Sequence, residues 1–578
     1  MNALIITLIA IVVLVAGYIF YGGWLAKQWG IDAKRPTPAH TMEDGVDYVP
    51  AKPYVVLGHH FSSIAGAGPI NGPIQAAIFG WLPMMLWVLI GGIFFGAMHD
   101  FGALWASLRH KGQTLAAVVQ KNIDSSAKKL FCVFAWLTLI LVVAAFASIV
   151  AGTFADPDGT NIANARTATI SVLFIVVAVI WGFLTRGKNI PGIVNILGAI
   201  LVIILIVFIG YKFPFLGGIS STTWMILLGV YILVASVAPV WILLQPRDYL
   251  SSYLLYGMII LALIAIVGAT IFGGTHFTIP AVTGFDTTNM FTDAKVFGGR
   301  GLLFPSLFVT IACGAISGFH SLVASGTTSK QVDKESEAQP IAYGGMLLEC
   351  LLAIISLCAV AFVWNAVTSG DYATPTQVFA GGLSAMMAQI PGMAGLAGEA
   401  GSLVYSLLIL AVSAFCLTSL DTATRISRMM FQEMFATDND ERTNNEKGWR
   451  GVLTNTYVAT VISVVCGIVL GMTGYAVIWP LFGAANQLLA ALALLAVCSF
   501  LGNLGRNNKM FYFPMIFMLI VTLTSLVLTS VAKIKALAAG FAFAPFIQLV
   551  VAVALFVLAI ILAIKACKHI FGQKKAQA

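Results

Sequence analysis

The sequence predicts an all-α polytopic membrane protein of about fifteen transmembrane helices, with an inverted five-plus-five repeat at its core. Three observations predict it. Of 578 residues, 59% are hydrophobic and only 9% charged, with a mean hydropathy of +0.95, whereas a soluble domain carries roughly 25% charged residues. Apolar stretches recur at the length of roughly 20 residues that crosses a bilayer core of about 30 Å. Lysine and arginine crowd into alternate loops, as the positive-inside bias requires. This composition excludes a soluble enzyme, a secreted disulfide scaffold and a disordered regulator. The net charge of +8 and pI near 9.0 follow from loop placement, so the expected partner is the lipid bilayer and not nucleic acid. Eight cysteines show no CxxC pair and read as small packing residues; neither a metal nor a cofactor is expected.

Taken in order, the apolar stretches are 2–22, 60–80, 82–103, 130–152, 167–184, 190–209, 223–244, 253–273, 304–325, 341–366, 401–421, 452–472, 475–499, 511–531 and 546–567. The first lacks a basic start and an A-x-A site, so it reads as a span and not as a signal peptide. With the N-terminus outside, only Arg166, Lys212, Lys295, Arg300, Lys533 and Lys535 of the 31 basic residues fall outside. The other 25 lie in inner loops and in a cytoplasmic C-terminal tail. No connection is long enough for a soluble domain, so any chemistry lies within the bundle. The repeats divide the chain into a leading helix and loop (1–55), a first repeat (56–210), a second repeat (211–425), and a cytoplasmic loop with four trailing helices (426–578).

The second stretch contains GHHFSSIAGAGPINGP, residues 58–73. Gly66, Gly68, Pro69, Gly72 and Pro73 in mid-span predict an unwound segment over 66–72, because proline removes a donor and glycine loosens the helix. Unwound backbone inside a membrane lines a cavity, and discontinuous helices mark transporter binding sites. Ser62, Ser63, Gly66, Ala67, Gly68, Pro69 and Asn71 are therefore candidate substrate residues. A kinked packing helix with Gly68 and Gly72 as small contacts is the alternative. A second break is expected at Ser236–Pro239. That stretch runs opposite to 60–80, five spans later, the relation of two inverted repeats, and Ser236 joins the candidate site. The ninth stretch carries Ser317, Ser321 and Ser325 at four-residue spacing on one face, then Thr327 and Thr328. These groups suit a carboxylate (Ser317, Ser321) or a coupling ion (Ser325, Thr328), with interhelical hydrogen bonding as the alternative.

Ionisable residues within the membrane are functional candidates. His59, His60, His99, Asp100, His320 and Glu349 are candidate proton or ion carriers, since histidine titrates near neutrality. Arg247 and Asp248 of QPRDYLSSY, with Asp421 and Arg425 one helical turn apart, are candidate gate pairs. His59, His60, His99 and Asp100 do not match helical metal-ligand spacing. Asn486 and Gln487 fall in the trailing helices and read as packing residues.

GHHFSSIAGAGPINGP (58–73), QPRDYLSSY (245–253), CGAISGFHSLVASGTTSK (313–330) and WPLFGAANQLLAALAL (479–494) resemble the carbon starvation protein A family. The resemblance runs over nearly the whole chain, as in a shorter member. It implies a bacterial inner-membrane transporter of the amino acid–polyamine–organocation superfamily, with a fold like the sodium-coupled leucine transporter. It also implies uptake of pyruvate or peptides, driven by a cation gradient, during nutrient limitation. Both substrates carry a carboxylate, which suits the broken helix. A peptide also brings an ammonium, for which Glu349 is the expected partner. The reading adopted is pyruvate with H⁺; Na⁺ coupling, with ligands from Ser321, Ser325, Thr328 and carbonyls of Ala65 to Gly68, stays open. Peptide uptake is the alternative substrate reading. A channel or a membrane enzyme is a further alternative, although no nucleophile or metal constellation stands out.

Overall fold

A computed structural model describes residues 1–45, 47–185, 191–239, 242–292, 296–437 and 446–577. Arg186, Lys188, Lys295 and Arg442, used in the charge pattern, lie outside the described residues. Regular structure among the described residues is helical. The long apolar helices are α1 (Ala3–Trp29), α4 (Trp81–Arg109), α5 (Ser125–Phe154), α6 (Ile162–Thr185), α7 (Gly192–Lys212), α9 (Leu244–Phe272), α12 (Glu335–Phe362) and α14 (Leu403–Phe435). Towards the C-terminus follow α16 (Tyr475–Asn503), α17 (Lys509–Ala539) and α18 (Phe543–Gln577). Eleven such helices are long and apolar enough to cross a membrane by length and composition. Two shorter apolar helices are α8 (Ser221–Val237) and α15 (Thr456–Gly471). Two more segments are interrupted: α2 (Pro53–Ile64) with α3 (Gly68–Ala76), and α10 (Leu303–Ile311) with α11 (Gly318–Gly326).

Helices α5 and α14, of 30 and 33 residues, pack along each other and form the central frame. Helix α8 packs on α5, α14 and α15. Helix α3 lies against α10, α12 and the link Ala312–Gly314, so the two interrupted segments cross. Helices α6 and α7 pair as a hairpin, and the apolar window of α7 is only 11% buried, as expected of a lipid-facing helix. Three segments widen into π turns: Gly17–Gly22 in α1, Gly92–Gly96 in α4 and Gln339–Tyr343 in α12. Tyr343 ties them together, its hydroxyl donating to the carbonyls of Gly17 and Ile93 at 3.4 and 3.1 Å.

Two expectations are corrected here. The unwound part of the first broken segment is 65–67, shorter than 66–72: Ala65 leaves the helix at φ −74°, ψ 73°, and α3 resumes at Gly68. Pro69 sits in the first turn of α3, where its missing N–H costs no hydrogen bond. Gly68 and Gly72 serve close approach instead, since a Cβ at either would lie 2.5 Å from Cys313 Cβ or from the Ile311 carbonyl oxygen. The second interruption is not at Ser236–Pro239. There α8 simply ends: Ala238 is extended (φ −61°, ψ 144°) because the following proline disfavours the helical conformation before it. The second interruption is at 312–317, where Ser317 is extended (φ −140°, ψ 124°).

Candidate functional site

The first interruption is held from one side by α14. Thr418 Oγ1 donates to the Ser62 carbonyl at 2.8 Å and Ser419 Oγ to the Ser63 carbonyl at 3.0 Å. Thr422 Oγ1 reaches Ser63 Oγ at 3.5 Å. On the other side, Asn486 of α16 caps α11: its Oδ1 accepts from Phe319 N at 2.9 Å, and its Nδ2 donates to Ser317 Oγ at 3.0 Å and to Cys313 Sγ at 3.5 Å. Helix α16, expected among the trailing helices, is fully buried across its apolar window. Asn486 therefore closes the second break and is more than a packing residue.

A buried relay lies beside this crossing. His99 Nδ1 meets Asp100 Oδ1 at 2.7 Å, and His320 Nδ1 meets Asp100 Oδ2 at 2.8 Å. An ionised carboxylate only accepts, so both Nδ1 atoms donate and each neutral imidazole keeps a lone pair on Nε2. His320 Nε2 faces Glu349 Oε2 at 3.2 Å. Two acceptors repel at that distance unless a proton or another cation lies between them. All four residues are fully buried. His60 of α2 bonds outside the relay, its Nδ1 2.9 Å from Thr328 Oγ1.

A second buried network gathers around Arg247. His59 Nδ1 meets Asp248 Oδ2 at 2.8 Å, and Arg247 Nη2 donates to Asp248 Oδ1 at 2.7 Å. Arg247 Nη1 also pairs with Asp421 Oδ2, which accepts from Tyr231 Oη at 2.6 Å. Helices α2, α8, α9 and α14 are thus joined through one buried guanidinium. Removing one partner of such a buried pair costs about 3–5 kcal/mol. Arg425 does not join this network; its Nη2 binds the carbonyls of Ala235 and Ala238, at the end of α8. Beside this network lies a narrow cleft lined by Asp47, His59, Lys330, Arg425 and Arg428 among others.

The predicted residues are therefore sorted. His99, Asp100, His320 and Glu349 come together, as do His59, Arg247, Asp248 and Asp421. Ser62, Ser63, Gly66, Ala67 and Gly68 lie at the first break and Ser317 at the second. Three placements differ from expectation. Ser236 sits at the inner end of α8, which packs on α5, α14 and α15. Ser325 accepts from Leu115 N at 3.2 Å, fastening the short helix Leu115–Asn122. Asn71 lies a turn into α3, where it accepts from Thr376 Oγ1 at 3.3 Å. Pro69 is helical, and Ser321 bonds its own helix at the Gly318 carbonyl, 2.7 Å away. Sequence reasoning missed Thr418, Ser419, Asn486 and Cys313. A hydroxyl pair one turn before Asp421 was the available signal for the first two.

The model of carbon starvation protein CstA matches residues 2–370 and 363–525. The chain belongs to the carbon starvation protein CstA family. A peptide transporter CstA of Campylobacter jejuni is 32% identical to it over 90% of this chain and 79% of its own. The pyruvate/proton symporter BtsT of Escherichia coli is 30% identical over 90% and 81% respectively. In structure, the chain is similar to a manganese transporter of Eremococcus coleocola, with a TM-score of 0.50, 13% identity, and 91% and 99% of the two chains covered. Membership of this family, with the helical bundle described above, makes the chain a multi-pass membrane transporter. Its fold is of the class expected, like the sodium-coupled leucine transporter.

Proposed function

We propose that the chain is a secondary active importer of a small carboxylate-bearing nutrient, pyruvate first, driven by protons across the bacterial inner membrane. The observation that carries this reading is the His320 Nε2–Glu349 Oε2 pair at 3.2 Å, which needs one proton to be stable and lies next to the crossing. Asp100 fixes the ring orientation, so the proton exchanges at a defined atom. The substrate carboxylate binds at the N-terminal end of α3, at Gly66, Ala67 and Gly68, where a helix start favours an anion. Ser62, Ser63, Ser317 and Ser321 are its polar neighbours on the two interrupted segments. The His59–Asp248–Arg247–Asp421 network is the inner gate.

Two arguments favour pyruvate with H⁺. A peptide's ammonium needs a carboxylate, and the carboxylates here are committed: Asp100 to two histidines, Asp248 and Asp421 to Arg247, Glu349 facing His320. Of the hydroxyls expected to hold a sodium ion, Ser321 and Ser325 bond within their own helix, to the Gly318 and Ser321 carbonyls, and Thr328 Oγ1 is paired with His60 Nδ1. Peptide uptake is the second reading, favoured by the name of the Campylobacter jejuni relative. The charge pattern supports an N-terminus outside and a C-terminus inside. Purified protein in liposomes, given labelled pyruvate and a labelled dipeptide under separate proton and sodium gradients, tests this. Pyruvate uptake and counter-flow that follow a pH step are expected. Uptake that follows only sodium overturns the coupling, and dipeptide uptake without pyruvate uptake overturns the substrate.

A further inference from the structure

We infer that Cys313, His320 and Glu349 form a binding site for a soft divalent transition-metal ion, with Zn²⁺ the best fit. Their ligand atoms lie within 4.8 Å of one another, and all three residues are buried. Both Glu349 oxygens and His320 Nε2 are buried without a hydrogen-bond partner. They face each other at 3.2 Å, close to the edge of about 3.3 Å between two ligands of a tetrahedral zinc bound at about 2.0–2.1 Å. The support around them is of the kind metal ligands need. Asp100 accepts from His320 Nδ1 at 2.8 Å, which leaves Nε2 as the donor atom, and Asn486 Nδ2 holds the Cys313 sulfur at 3.5 Å. A carboxylate behind a ligating histidine fixes its tautomer and raises its basicity. One thiolate, one imidazole and one carboxylate select zinc or cobalt over magnesium or calcium, and leave a fourth position for water.

The interruption at 312–317 creates the site. In a continuous helix, positions seven apart are separated by about 10.5 Å along the axis, too far to share an ion. The site is argued from its three side chains and not from proton coupling, although a metal ion and a coupling proton would compete for the same gap between His320 Nε2 and Glu349 Oε2. The test uses the full-length protein in detergent with Cys466→Ser and Cys567→Ser, which removes the two cysteines that are not buried. One Co²⁺ per chain with a sulfur-to-cobalt charge-transfer band is expected, displaced by Zn²⁺. Cys313→Ser is expected to abolish the band and weaken Co²⁺ binding at least tenfold. X-ray absorption of the zinc-loaded parent protein, which needs no variant to fold, is expected to show one sulfur in the first shell. No bound metal at millimolar concentration, a first shell without sulfur, or an unchanged band in Cys313→Ser overturns the proposal.

Discussion

Asp100 has two oxygens and gives one to each of two histidines, which under the proposed proton coupling leaves Glu349 as the group that answers to the proton at His320. Glu349→Gln keeps the size but offers an amide in place of a carboxylate. Pyruvate uptake should then lose its response to a pH gradient by at least tenfold, while pyruvate exchange persists; flux measured in both modes checks it. Arg247 is the corresponding residue at the proposed inner gate. Arg247→Ala leaves Asp248 and Asp421 buried without their cation, a loss of about 3–5 kcal/mol that falls on the closed state. A thiol placed by Thr327→Cys in the adjoining cleft should react at least tenfold faster with a reagent added on the cytoplasmic side. At this scale the sequence was informative where chemistry is rare: a histidine, a glutamate or an Asp–Arg turn in an apolar run stands out. It was silent on pairing. Asp100 and His320 are 220 positions apart, and nothing in either neighbourhood names the other. Thr418 and Ser419 were overlooked because hydroxyls are cheap in membrane helices, so that only their place one turn before Asp421 set them apart.

Among elements, the first interruption was legible in its glycines and prolines, but its extent was not. Gly68 and Gly72 look like loosened backbone in a sequence, and only the crossing segment shows that they are contact points. Gly68→Ala would set a methyl 2.5 Å from Cys313 Cβ, an overpacking worth about 1–3 kcal/mol. The variant should melt several degrees lower, and Cys313→Gly in the same chain should restore most of the loss; thermal unfolding of the four proteins of the cycle checks it. The second interruption was misplaced because Pro239 is a louder signal than ACGAIS, whose small residues break a helix only in contact with α3. We propose accordingly that the second repeat starts at α10, pairing α5 with α14 and α8 with α15, with the hairpin α6–α7 inserted within the first half, between α5 and α8.

For the whole molecule, eleven of the apolar stretches fall on described helices long and apolar enough to cross a membrane and the others overlap shorter or interrupted ones, because hydropathy is dictated by lipid and owes little to tertiary detail. Orientation rests on loop charge alone. Lys447→Cys should be labelled from the cytoplasmic side in inverted vesicles and stay unlabelled in intact cells; the reverse pattern would sink the topology. One arrangement on α14 reaches further. Thr418 and Ser419 grip the backbone of α2 just before its break, and Asp421, a single turn on, holds Arg247, which is tied through Asp248 to His59 on that same half-helix. The half-helix is therefore clamped twice, once by its main chain and once by a side chain, to one rigid rod. Loosening one clamp leaves the other intact. Any motion that parts the half-helix from α14 therefore breaks main-chain hydrogen bonds and a buried ion pair together.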